Sequence, residues 1–299
     1  MNCELARILG CNPRAIYLKP KHMKTILVPT DFSDNAFHAA QYAALLAQKY
    51  DMGLRLAYVF MVHVVTEIPH AAIIDADIER QRQNANTDLA AFKQRLTAAT
   101  GLDSNRVQTE IVTGFLNEDL LNITKGDDVA MIVMGTRGAS NWLDRWLGTN
   151  AQHMMEKATC PVWVIPTTTP LQLPKEFLYA SDFRSDEVAE INQLLPLLRP
   201  LEAHCHVVHI HHQDELNIGN ELGETATLLR DTFKEDRLTV RNLNRTTLTG
   251  GLESYLKNQK PDVLAVLRTE HDFWEGLFLT SISTHFVQKA THPVLVFKL

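Results

Sequence analysis

The sequence predicts an α/β protein made of two doubly wound, five-stranded parallel-sheet domains in tandem. Three observations predict it. Short β-rich apolar runs alternate with segments of helical periodicity, the signature of a parallel sheet with helices on both faces. The alternation runs through twice: Tyr179 to Phe183 repeats Val28 to Phe32 at an offset of 151, and Lys289 to Val294 repeats Lys157 to Val162 at an offset of 132. In the first pass, an apolar strand stops at a glycine loop, Gly135-Thr136-Arg137-Gly138. The boundaries read from this are an unstructured leader over 1–22, a first domain over 23–166, a linker over 167–174 and a second domain over 175–299. The offset shrinks mostly between the second and fourth strands, where the long helix of the first repeat is expected to be shortened in the second.

Taken in order, Thr25 to Val28 reads as a buried strand ended by Pro29. Ser33 or Asp34 is placed to cap the helix that follows. Ala36, Ala39, Ala40, Ala43, Leu46 and Ala47 recur at helical spacing on one face, and Gly53 is expected to end that helix. Leu54 to Phe60 is the second strand. Asp77 to Ala99 is a long helix with Leu89, Phe92 and Leu96 turned inward, stopped at Gly101. Val107 to Val112, Leu116 to Thr124 and Val129 to Met134 read as strand, helix and strand. Gly148-Thr149 opens a helix over Asn150 to Ala158, and Val162 to Ile165 is the fifth strand. Ligands in such sheets sit beyond the carboxyl ends of the strands, so Asp31 and Gly135 are expected to line one crevice.

Gly135 and Gly138 let the backbone approach a ligand closely. The helix start at Gly148-Thr149-Asn150 offers free N–H groups and about half a positive charge, suited to phosphate. The spacing is neither a Walker A loop nor a dinucleotide G-x-G-x-x-G. Gly-x2-Gly-x9-Gly-Thr, with Lys24 to Ser33 before it and Cys160 to Ile165 after it, resembles the universal stress protein family in its tandem form. That resemblance implies an adenine nucleotide alpha hydrolase-like fold of strand order 3-2-1-4-5 and an ATP site, with Mg2+ bridging phosphate oxygens. It implies a contact from Asp31, with Pro29 and Thr30 beside it, to the adenosine. Val59 and Met134 would flank the adenine. Gly135, Thr136, Arg137, Gly138, Gly148, Thr149 and Asn150 would meet the phosphates.

Each residue also has an ordinary reading. Asp31 is equally a turn or cap residue, and Arg137 and Arg145 are as readily solvated surface arginines. Thr149-Asn150-Ala151-Gln152 fits a capping box, which makes Thr149 the expected cap of its helix. In the second repeat Leu267-Arg268-Thr269-Glu270-His271 replaces the loop and Thr280-Ser281 replaces Gly148-Thr149. Arg268 aligns with Gly135 in this comparison. A long side chain and an added negative charge oppose ATP there, so one nucleotide site per chain is expected, and Asp182 reads as structural.

His204, Cys205, His206, His209, His211 and His212 form a second cluster with zinc-ligand chemistry. On a strand, however, His204, His206 and His212 share one face and His209 and His211 the other, so no metal site is assigned. No nucleophile–base motif is legible, and no catalytic residue is assigned. The fifth strand of each repeat should be an edge, and the two edges are expected to pair as an intramolecular pseudo-dimer, with a homodimer also open. Net charge is −6, with no Lys/Arg run, which argues against nucleic-acid or anionic-membrane partners. No apolar run approaches the ~20 residues of a membrane span. The four scattered cysteines fit reduced thiols in a cytoplasm. The expected function is that of an ATP-binding stress-response regulator. The alternatives are a slow ATP hydrolase using the same loop and an interaction scaffold without nucleotide.

Overall fold

The computed structural model describes residues 23–60, 71–126, 128–136, 148–181, 187–212, 227, 237–245, 255, 258–268 and 292–298. The leader over 1–22, Arg137, Gly138, Arg145, Asp182, Glu270, His271, Thr280 and Ser281 lie outside them. So does most of the segment in which the second repeat's shortened helix was expected.

In the first half, β1 (Thr25–Pro29) leads through Ser33 into α1 (Asp34–Tyr50). Ser33 is the cap: its hydroxyl accepts the Ala36 N–H at 3.2 Å. The helix ends at Asp51, which takes the left-handed conformation at φ 54°. Gly53 therefore does not end α1, as the sequence suggested. It opens β2 (Gly53–Phe60), where an added Cβ would lie 3.0 Å from the Arg106 carbonyl oxygen. Next comes α2 (Ala71–Thr100), longer at its start than the expected helix. Leu89, Phe92 and Leu96 are buried, and Gly101 ends the helix at φ 68°. Then follow β3 (Val107–Thr113), α3 (Leu116–Thr124), β4 (Val129–Gly135), α4 (Thr149–Lys157) and β5 (Val162–Ile165).

The described elements of the second half are β6 (Glu176–Ser181), α5 (Glu187–Leu198), β7 (His204–His212), β8 (Leu238–Arg245), β9 (Val263–Arg268) and β10 (Val294–Lys298). All ten strands form one sheet in the order β3-β2-β1-β4-β5-β10-β9-β6-β7-β8. Every pairing is parallel except the central one, where β5 and β10 run antiparallel with Val164 opposite Val294 and Val162 opposite Val296. Two edges that would each expose unpaired backbone groups thus satisfy one another.

The alternation of side chains divides the core between the sheet's two faces. Ile26, Val28, Leu54, Leu56, Val133 and Trp163 pack with α1 and α2 on one face. Leu27, Ala57, Ile132, Met134, Val162 and Val164 pack beneath α3 and α4 on the other. At the seam, Trp163 lies between Tyr42 of the first half and Phe177 of the second, at ring separations of 6.2 and 5.9 Å. Lys49 pairs with Glu202 at 3.4 Å, and the Tyr50 hydroxyl donates to the Leu197 carbonyl. No helix among the described residues is long and apolar enough to cross a membrane.

Strand register corrects the alignment of the halves by one residue. Ile132 pairs with Leu27 and Val162, and Leu264 pairs with Leu178 and Val294. The Ile132 and Leu264 N–H groups donate to the equivalent Pro161 and Pro293 carbonyls. Leu264 is therefore the counterpart of Ile132. It follows that Leu267, not Arg268, stands where the first half has Gly135, and that Arg268 stands for Thr136.

Candidate functional site

The described candidate residues lie at the carboxyl ends of β1, β2 and β4 and at the start of α4. Pro29 ends β1 opposite Ala57. The Thr30 N–H donates to the Ala57 carbonyl at 2.9 Å, and the Thr30 hydroxyl accepts the Phe32 N–H at 3.0 Å. Asp31 is exposed, and its Oδ1 accepts from the Ser33 N–H at 3.1 Å and the Ser33 hydroxyl at 2.5 Å. The carboxylate therefore holds the turn into α1 while remaining exposed. Phe32 adopts φ 64°, unusual for a residue with a Cβ. Its ring lies 4.6 Å from that of Tyr58 and 6.1 Å from that of Phe92. Sequence reasoning missed Phe32 as the anchor that holds the Asp31 turn; the only signal was an aromatic inside a polar turn.

Met134 is buried with Leu27 and Ala57 under α3 and α4, and Val59 packs partly buried against the same cluster. The two residues expected to flank an adenine thus share one face of the sheet. Gly135 ends β4 beside Ile165. Thr136 is buried, and its carbonyl accepts the Gly148 N–H at 2.7 Å. This bond ties the chain before residue 137 to the chain after residue 147.

The bond also overturns the expected capping box. Gly148 is the N-cap of α4, with φ −61° and ψ 142°, and no side chain caps the helix. Thr149 is the first helical residue, and the Gln152 amide turns instead to Glu156 at 2.9 Å. Thr136 fixes the chain one residue earlier than the local Thr-x-x-Gln pattern indicates. The first N–H groups of a helix have no intrahelical acceptor. Here Thr149 and Asn150 are exposed in a first turn that carries no acidic residue. The result is an uncapped, positively polarised helix start beside a glycine-ended strand, an arrangement suited to an anion.

The histidine cluster is a different kind of place. His204 Nε2 lies 2.7 Å from the Thr239 hydroxyl and His206 Nε2 lies 3.1 Å from Glu176 Oε2, with the two rings 4.7 Å apart. Burial holds the His206 pKa below its ordinary value, the Glu176 hydrogen bond opposes this, and His204 adds to the lowering. Among the described residues no group of three or more His, Cys, Asp or Glu is arranged to hold a metal. The side chains of His209, His211 and His212 lie outside the described residues. A cavity of about 200 Å3 at the linker is lined by Tyr42, Thr169, Pro170, Asp262 and His292 among others, and by none of the candidate nucleotide residues.

Residues 22–166 match the model of the universal stress protein family. The universal stress protein Slr1230 of Synechocystis is 26% identical over 298 residues, an alignment covering 92% of this chain and 100% of that protein. A universal stress protein of Thermus aquaticus is 30% identical over 142 residues, covering 48% of this chain and 98% of its own. The crystal structure of a universal stress protein from Archaeoglobus fulgidus superposes with a TM-score of 0.66 at 14% identity, over 92% of this chain and 98% of that one. That likeness concerns the fold, and it agrees with the strand order 3-2-1-4-5 of the first half.

Proposed function

The chain belongs to the universal stress protein family, and on that premise we propose that it is an ATP-binding regulator of a stress response with one nucleotide site, in the first half. In this reading two tandem domains, over 23–166 and 175–299, are joined by the linker over 167–174. The adenosine contacts Asp31 and lies against Pro29, Thr30, Val59 and Met134. The phosphates meet Gly135, Thr136, Arg137 and Gly138 and the helix start at Gly148, Thr149 and Asn150. The observation that carries the reading is the open first turn of α4, held beside Gly135 by the Thr136–Gly148 bond. A negative charge at such a terminus gains about 0.3–1 kcal/mol, and up to about 2 in partly buried geometry. Mg2+ would be bound through oxygens of the phosphates. The protein works in the cytoplasm, where its thiols stay reduced.

The test is the nucleotide content of the purified protein. Denaturation and chromatography should release an adenine nucleotide, and added ATP should raise the melting temperature. Protein that carries none and shows no thermal shift would be a scaffold. Sustained ADP release at catalytic protein levels would make it a hydrolase.

A further inference from the structure

We propose that Arg268 of the second half is a positioning residue for the phosphate-binding helix of the first: it fixes the carboxyl end of α4, and through it the affinity for the polyphosphate. The inference rests on the nucleotide reading above and names how that site is regulated.

The antiparallel seam makes the contact possible. Because β10 runs against β5, the carboxyl ends of β9 and β10 lie beside the amino end of β5, where the last turn of α4 comes down. There the Arg268 guanidinium donates to three main-chain carbonyls. Nη1 reaches Glu156, and Met155 at 3.4 Å, and Nη2 reaches Ala158 at 2.9 Å. These are carbonyls at the end of the helix, where intrahelical donors run out and the dipole is negative. A guanidinium fork spans several such acceptors at once.

α4 depends on this tie more than a long helix would. It has nine residues, and short helices are marginal without tertiary support. Its amino end has no side-chain cap, and only Ala151, Met154 and Met155 are buried beneath it. Over nine residues it spans about 13 Å, so a shift at the carboxyl end reaches Thr149 and Asn150 as a rigid displacement. Arg268 also occupies the position of Thr136, the residue that anchors the other end of the same helix through Gly148. The second half has replaced its own loop anchor with a clamp on its neighbour's helix. Nearby Cys160, its thiol pushed up to about 11 by burial, stays protonated and competes for none of this.

The experiment compares Arg268→Ala, Arg268→Gln and Arg268→Lys in the full chain. Each is titrated with adenosine, AMP and ATP, and amide hydrogen exchange is followed over residues 152–158. Positioning predicts ATP affinity reduced about fivefold to tenfold in Arg268→Ala, adenosine affinity within twofold of wild type, and Arg268→Lys between the two. Exchange at 152–158, the hydrogen-bonded amides of α4, should quicken in the nucleotide-free protein. Arg268→Gln, which keeps one hydrogen-bonding arm, carries the same comparison should the alanine variant fold poorly. Unchanged ATP affinity, or equal loss of adenosine and ATP, would overturn the inference. A wild-type protein that binds no ATP, with exchange at 152–158 still quickened by the substitution, would overturn the nucleotide reading and with it the proposed effect of Arg268 on polyphosphate affinity.

Discussion

At the end of β4 the first half has Gly135 and Thr136; at the equivalent points of β9 the second half has Leu267 and Arg268. The strands behind them are interchangeable in register and burial. The two strands differ at their carboxyl ends, where one has a glycine beside a helix start and the other a buried leucine and a guanidinium. On the proposed reading, one sheet holds an anion-binding edge and an edge that braces its neighbour, because backbone pairing fixes the strands while side chains at their ends remain free to vary.

The largest expected effect breaks both halves together. Trp163→Ala removes the ring that joins Tyr42 to Phe177 across the seam, and should cost about 3–5 kcal/mol in denaturant unfolding. A loss below about 1 kcal/mol would mean that the halves hardly share a core. Next, Gly135→Leu copies the second half into the first. ATP affinity should fall at least about 100-fold, roughly 2.7 kcal/mol, with the circular dichroism spectrum retained. Equal affinity would remove Gly135 from the site.

Ser33→Ala deletes the cap of α1 and should cost about 1 kcal/mol of stability, read from the denaturation midpoint. It should also weaken adenosine binding, since Ser33 holds the Asp31 carboxylate. A stability loss with adenosine affinity untouched would leave Asp31 as a turn residue alone. The smallest effect is a pH slope specific to the second half. Burial lowers the pKa of both His206 and His292 in the folded protein. Folding then favours their neutral forms, so their stabilising effect is present above pH ~6.5 and is lost as pH falls through the folded values. The melting temperature should decline between pH 7.5 and 5.5, and His206→Gln should flatten that decline. An unchanged slope would rule out His206 as a source.

Much of this was legible in the sequence because it is local. β5 and α3 have the expected bounds, and Leu89, Phe92 and Leu96 lie in the core, since apolar periodicity and burial say the same thing there. What was not legible depends on distant partners. Glycine suggested a helix stop at Gly53, but the left-handed turn fell on Asp51 and the glycine was needed under Arg106. Thr149 looked like a cap until Thr136 fixed Gly148. The loop alignment slipped by one because an apolar residue precedes the change in both halves, and only strand pairing shows which residue faces which. The grip of Arg268 on α4 needed the antiparallel seam, which the order of residues along the chain does not contain.

The most direct test of one half binding and the other bracing is the stoichiometry of ATP binding to the full chain by calorimetry in the presence of Mg2+. One ATP per chain, lost in Gly135→Leu, is expected. Two per chain, or one that survives that substitution, would contradict it.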